Sequence, residues 1–472
     1  MEEAVRDVLH RILTQHGSSV IEDPRRLRAI LMDLAGSHSR EISLLMSAAE
    51  ARVPQKLLDS QTNPLASLQS ASLIQYLEDQ RHLTRHAAQW AVETWAFTLD
   101  LTPALGLPAH SPRPQDTAAA GSQERAGVPP TLVVATIGPA HHRSISAAIA
   151  AAGPGTRIRV RPGIYREGLI LDKPLEIWGD GPIDEIVVET TTADCILMRT
   201  DSADVRGLTL RCRAVSTQHR FYGVDIPQGQ LTLEDCDITS NYFTCVAVRA
   251  PETVAIVRRC HIHHSEGHGV CVSEQARGTI TDCDIHANES ANIEIELGGD
   301  ATVRGCRIHD GKQSGVWVHH HGRGNVADCD IHGNAYSGIS ISTDGDPTVR
   351  DCRIHDNNQG GVYVSEQGRG TITDCDIHAN EWANIEIKSG GDPTVRGCRI
   401  HDGVSGVRAY EQGRGTIADC DIHANSSPGV TIESGGDPAV RDCRIHDNNQ
   451  GGVYVSEQGR GTITDCDIHA NV

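Results

Sequence analysis

Apolar and polar positions repeat at a fixed offset through most of this chain. A cysteine in a matching context recurs at Cys212, Cys236, Cys260, Cys283, Cys306, Cys329, Cys352, Cys375, Cys398, Cys420, Cys443 and Cys466, in steps of 24, 24 and then 23 except for one of 22. The stretch Val349 to Asn380 returns residue for residue as Val440 to Asn471. A period this regular predicts a solenoid whose units stack on one another. In the unit Thr371 to Asp392 the recurrent apolar places are Ile372, Cys375 and Ile377. Their i, i+3, i+5 spacing breaks the alternation of a single strand and predicts a bend near Thr373-Asp374. A second strand, GVYV, turns Val362 and Val364 inward and Tyr363 outward. Asn380 shares its place with Asn288, Asn334, Asn357, Asn425, Asn448 and Asn471. Asparagine tolerates the left-handed conformation, so this column predicts a ladder of turn residues.

The front of the chain follows a helical period instead. Over residues 1–101 the apolar places are Val5, Val8, Leu9, Ile12 and Leu13; Leu27, Ile30, Leu31 and Leu34 after an Asp23-Pro24 cap; Ile42, Leu45, Met46 and Ala49; Leu73, Ile74 and Leu77; and Ala87, Trp90, Ala91 and Trp95. Such spacing predicts a small all-α domain, with both tryptophans in its core. The segments DPRRLRAILMDL, EISLLMSAAEARVP and HAAQWAVETWAFTLDL resemble a helical module found at the front of bacterial multidomain proteins, and that resemblance implies docking or adaptor work. Residues 102–131, rich in Pro, Ala and Gly, predict a linker, and 132–472 the solenoid.

The solenoid opens with SISAAIAAA, Ser144 to Ala152, a short apolar helix closed by Gly153-Pro154-Gly155. Strands broken at Pro162-Gly163, Lys173-Pro174 and Gly179 follow. Thr156, Ile158, Val160, Pro162, Gly163, Tyr165 and Glu167, then Lys173, Pro174, Leu175, Ile177 and Gly179, resemble the first two coils of the pectate-lyase-like right-handed parallel β-helix superfamily. The resemblance implies an all-β, right-handed parallel β-helix behind a capping helix.

Composition narrows the picture. With 46 Gly but 3 Phe, 8 Tyr and 5 Trp in 472 residues, the chain suits a thin stack of short strands better than a thick core. A net charge of −20 gives an overall field that repels phosphate backbones, so no nucleic-acid partner is predicted. No apolar run approaches the roughly 18 residues of a membrane span. The start, MEEAVRDVLH, is acidic and amphipathic, which predicts no secretory signal and a cytoplasmic location. There the 15 cysteines act as reduced, small hydrophobes. A completed coil at Asn471-Val472 predicts a homo-oligomer joined through the final coil, or a partner that caps it.

Candidate chemistry lies on the outward places. The residue after each cysteine alternates in charge, through Asp284, Arg307, Asp330, Arg353, Asp376, Arg399, Asp421, Arg444 and Asp467. That alternation predicts a register-setting stripe. Two residues on comes a column of histidines, including His309, His355 and His446, available to a ligand or simply copied by duplication. His261, His263, Asp284 and His286 form an alternative metal set for zinc, while His319-His320-His321 reads as a solvent loop. Trp317, Tyr363 and Tyr454, with Arg408 between the last two, form a sparse ligand-binding platform. Tyr222 to Pro227, YGVDIP, resembles in part the YG-x-D-P-H signature of mannuronan epimerases, which implies Tyr222 and Asp225 as alternative catalytic residues. The histidine after the proline is missing. The first reading is therefore a non-catalytic recognition protein for a protein or glycan, with no cofactor. The alternative is a polysaccharide lyase or epimerase, for which the fold resemblance implies calcium.

Overall fold

The computed structural model describes residues 130–213 and 220–472 without a break; within 1–129 it describes the helix Val53–Asp59 and scattered positions around it. The chain divides into two units, Met1–Gln123 and Glu124–Val472. In the first, Leu9, Ile12, Leu27, Leu31, Leu45, Leu77 and Trp95 share one buried cluster. Trp95 Nε1 donates to the Leu45 carbonyl at 3.2 Å, so this tryptophan is core. Trp90, Val5, Val8, Leu13, Leu34, Ile42, Ile74 and Ala87 lie outside the described residues, as does the expected linker apart from Pro130 and Thr131.

The second unit is a right-handed parallel β-solenoid of about 14 turns with roughly 23 residues per coil, as the period and the resemblance implied. Each coil visits three faces in turn. Among the described residues, sheet 1 has 15 strands, sheet 2 has 14 and sheet 3 has 13. One coil runs from Thr371–Thr373 in sheet 1, through Asp376–His378 in sheet 2, to Ala383–Ile387 in sheet 3. Pairing is parallel and in register, Ile354 on Ile377 on Ile400. Every residue therefore stands about 4.8 Å from its own copy. The bend between sheets 1 and 2 sits at Asp374, with φ of 52°.

The opening motif is an end cap. Ser144 caps the helix Ile145–Ala151, whose Ile145, Ala148 and Ile149 are buried. Both Glu167 oxygens accept from its first amides, Ile145 N at 2.7 Å and Ser146 N at 2.8 Å. Lys173 Nζ donates to the carbonyls of Ile149 and Ala152 at its other end. Tyr165 Oη donates to the Arg161 carbonyl at 2.7 Å. Negative charge at a helix start and positive charge at its end both complement its dipole. The residues that carried the family resemblance thus hold the cap.

Two columns differ from the sequence reading. The asparagines are interior residues, not turn residues. Ala379, one place earlier, takes the left-handed φ of 53°, while Asn357 and Asn380 are buried. Asn357 Nδ2 donates to Asn380 Oδ1 at 2.9 Å, and Asn357 N to the same oxygen at 3.1 Å. Where Gly311 and Gly403 interrupt the column, the coil before supplies Asn292 and Asn384. Asn292 Nδ2 donates to Asn334 Oδ1 at 3.0 Å, and Asn384 Nδ2 to Asn425 Oδ1 at 3.1 Å. A Cβ on Gly311 would stand 2.7 Å from Asn292 Nδ2, so the glycine and the extra asparagine form one feature.

The cysteine column is also shorter than its spacing suggested. Thr209 pairs with Asp237 and Cys212 with Ser240, which puts Leu208, not Cys212, beneath Cys236. From Cys236 on, the thiols line the interior. Cys352 Sγ, for example, donates to the Arg350 carbonyl at 3.2 Å. All 15 cysteines are free thiols.

Replacing Asn357 with Ala leaves buried amide and carbonyl groups on two neighbouring coils without partners. This substitution should cost about 1–3 kcal/mol, read by denaturant titration, whereas Asn358→Ala on the surface should cost less than about 0.5 kcal/mol.

Candidate functional site

Sheet 2 carries the alternating charges and the histidines. Register pairing stacks Asp284, Arg307, Asp330, Arg353 and Asp376 in one column, as the spacing predicted. Arg353 donates twice to Asp330, at 3.0 and 2.9 Å. The imidazoles stack almost flat on one another, with centroids 4.9 Å apart for His286 on His309 and 5.1 Å for His332 on His355. Alternate rings are bracketed by carboxylates. His309 has Asp284 at 2.8 Å from Nε2 and Asp310 at 2.7 Å from Nδ1. His355 has Asp330 at 2.9 Å and Asp356 at 2.6 Å, and His446 has Asp421 at 2.9 Å and Asp447 at 2.7 Å. With both nitrogens occupied and the ring faces stacked, His309, His355 and His446 hold the scaffold together. They offer no free donor to a ligand. The rings between them, His286, His332, His378 and His423, lie below the usual histidine pKa, first through burial and then through neighbouring histidines, against the upward pull of Asp284, Asp330, Asp376 and Asp421.

The expected metal set on this face does not converge. His263 and His286 stack in parallel, 1° apart with centroids 5.0 Å apart, so their nitrogens lie side by side. The Asp284 carboxylate faces His309 and Arg307 of the next coil, and His261 is exposed.

Sheet 3 brings together most of the other candidates. Its central outward column reads Asp225, Ala247, Cys271, Glu294, Trp317, Ser340, Tyr363, Glu386, Arg408, Thr431, Tyr454. Trp317, Tyr363 and Tyr454 thus share one face, while His309, His355 and His446 belong to another. Asp225 is only 4% exposed, and Arg249 donates to both its oxygens at 2.9 and 2.7 Å. Arg249 thus engages both carboxylate oxygens, and the Tyr222 backbone amide donates to Asp194 at 2.7 Å. Burial raises the Tyr222 phenol pKa. The pair is a structural brace.

Two buried glutamates mark the unusual points of the column. Glu294 is 6% exposed, with His319 Nε2 3.1 Å from one oxygen and His268 Nε2 3.1 Å from the other. Its burial favours the neutral acid, yet His319, His268 and Cys271 hold its pKa below the usual value. His319, expected in a solvent loop, is buried with its ring stacked on Trp317 at 3.9 Å. Among the described residues, two sets of donor atoms fall within 4.8 Å of one another, Cys271 with Glu294 and Glu296, and Glu296 with His319 and His320.

Glu386, four strands further along, is 3% exposed and accepts from Tyr410 Oη at 2.5 Å. It lines an open groove of about 680 Å³ with Trp382, Arg408, Thr431, Glu433 and Tyr454. Arg408 Nε donates to Glu433 at 2.7 Å. Trp382 and Tyr454 are each half exposed. Burial and Glu386 push the Tyr410 phenol pKa up.

The family described as right handed beta helix region matches residues 194–349 and 337–472. The chain belongs to the right-handed β-helix family. No curated protein matches this β-helix in sequence. Among solved structures, the A-module of the mannuronan C-5 epimerase AlgE6 from Azotobacter vinelandii is 18% identical, covering 68% of this chain and 93% of its own, with a TM-score of 0.49. The catalytic domain of a GH87 alpha-1,3-glucanase is 11% identical, covering 75% and 70%, with a TM-score of 0.50. The periplasmic alginate epimerase AlgG is 11% identical, covering 66% and 77%, with a TM-score of 0.39. At these identities the likeness shows the β-helix fold alone.

Glu294, Cys271 and Glu296, like Trp382, Glu386, Tyr410 and Glu433, were not singled out from the sequence. One signal for them was present. The strand ANIEI occurs twice, at 291–295 and 383–387, and each copy puts a glutamate where duplicate coils carry Tyr363 and Tyr454.

Acid should weaken this β-helix in two steps. Below pH of about 6.5 the unfolded histidines take up protons that His286, His332, His378 and His423 decline when folded, so Tm falls. Asp330, despite partial burial, is held down to about 2 by Arg353 and His355, so its contribution is kept above about pH 4 and lost toward pH 2. Melts from pH 8 to 3 check both steps. His332→Asn with His378→Asn should flatten only the first.

Proposed function

We propose that this β-helix is a carbohydrate-active protein that holds a neutral polysaccharide along sheet 3 and performs acid–base chemistry on it in the Glu386 groove. The observation that supports this reading is the groove itself. Two half-exposed rings, Trp382 and Tyr454, flank two carboxylates, Glu386 and Glu433, beside Arg408 and Thr431. Aromatic faces pack against the apolar faces of sugar rings, while carboxylate, guanidinium and hydroxyl groups take sugar hydroxyls. A pair of carboxyl groups is also the machinery of glycoside hydrolysis, one residue as the protonated acid giving its proton to the leaving group and the other, ionised, assisting water. Glu386, buried against Tyr410, is the proton-transfer candidate. Glu433, held by Arg408, is its partner.

Charge selects the glycan. The groove holds Glu381, Glu386 and Glu433, and its one guanidinium is paired with Glu433. A uronate chain would meet net negative charge, which favours an uncharged glucan-like chain over the substrate of a lyase or epimerase. The glucanase and the epimerases that share the fold carry polysaccharide-enzyme names, and those names set the substrates worth testing.

Full-length protein should release reducing ends from neutral glucans and not from alginate or pectate. Glu386→Gln should lower kcat by about 10²- to 10⁴-fold, with glycan binding retained. Trp382→Ala should raise KM several-fold. Binding without turnover would return the protein to the recognition-module reading. Turnover on uronans untouched by Glu386→Gln would sink the proposal.

A further inference from the structure

We propose that Cys271, Glu294, Glu296 and His319 form a zinc site on the outer face of sheet 3, four coils away from the groove. Cys271 and Glu294 stand in the central column on adjacent coils. Glu296 and His319 follow the strands Ile293–Ile295 and Val316–Val318. The site therefore ties together three successive coils.

Distances support the assignment. His319 Nε2 lies 3.1 Å from a Glu294 oxygen and 3.9 Å from a Glu296 oxygen. Cys271, Glu294 and Glu296 bring their ligand atoms within 4.8 Å of one another. Around a tetrahedral zinc with bonds of about 2.0–2.3 Å, ligand atoms sit roughly 3.3–3.7 Å apart. Glu294 and Glu296 thus stand within reach of both the Cys271 thiol and the His319 imidazole.

The donor chemistry selects the ion. An imidazole nitrogen, a thiol and two carboxylates suit zinc, whereas calcium and magnesium take oxygen alone. A supporting layer is already built, because His268 Nε2 holds the second oxygen of Glu294 at 3.1 Å. His268 Nδ1 is itself buried without a partner.

The test uses the full chain, stripped with chelator and titrated with Zn²⁺ and, separately, Co²⁺. One Zn²⁺ per chain is expected, with a rise in Tm that grows with metal concentration. His319→Ala with Glu296→Gln should weaken binding by more than about 10-fold. His332→Asn with His378→Asn, on the sheet 2 ladder, should leave it unchanged. Bound Co²⁺ should give a thiolate charge-transfer band that Cys271→Ser removes, and this milder variant keeps the test decisive if the double variant misfolds. Failure of folded wild type to bind Zn²⁺ overturns the proposal. So does binding that survives the loss of His319 and Glu296 or disappears with the ladder histidines. Glycan turnover in the Glu386 groove is a separate readout, and its absence leaves this site standing.

Discussion

Parallel stacking at about 4.8 Å sets each residue directly over its own copy, and the rest of the solenoid answers to that constraint. Identical apolar side chains tolerate it readily, which is why Ile354, Ile377 and Ile400 form one dry column. Identical polar groups do not. A charge set on its own copy is repelled, and a buried amide set on another must find donors and acceptors along the axis. The chain meets the first difficulty by alternating Asp with Arg on sheet 2, and the second by passing asparagine hydrogen bonds from coil to coil. The histidines combine both devices, since from His309 to His446 every second ring lies between two carboxylates. A pair of coils is the smallest unit that satisfies these rules, and duplication has copied that pair.

Buried carboxylates gather where the copying is imperfect. The two ANIEI strands put a buried glutamate at the same place in the coil, four coils apart, and the residue after the next coil's sheet 3 strand reaches back to it. At Glu294 that residue is His319, and at Glu386 it is Tyr410. One architectural slot, a carboxylate with a partner from the next coil, has thus diverged into an imidazole-rich cluster and an aromatic groove. The same strands carry Asn292 and Asn384, which fill the gaps left by Gly311 and Gly403. The strands that repair the asparagine column therefore also carry the two buried glutamates.

The family signature has a physical reason of its own. An open coil exposes strand edges and apolar interior, so the first coil needs a lid. Glu167, Lys173 and Tyr165 fasten that lid through charge on both ends of the helix and a bond to the turn. This is why those residues reported fold and carried no message about substrate.

Sequence alone determined the period, the solenoid, the capping helix, the bend at Asp374 and the alternating stripe. The capping helix came with the family resemblance; the others follow from short-range spacing, which a repeat displays many times over. The three-faced cross-section was decided by tertiary structure, because spacing locates a bend but not the plane of the strand beyond it. That plane sent the tyrosines to sheet 3 and the histidines to sheet 2, so the two sets of ligand-binding candidates stand on different faces. Register moved Cys212 out of the cysteine column, since a coil carrying extra residues keeps its count only through its neighbours' hydrogen bonds. Burial turned asparagines from turn formers into an interior chain, and Asp225 from a candidate base into the clasped partner of Arg249. The two groove glutamates, Glu386 and Glu433, come from different coils, and only stacking lets them line one groove.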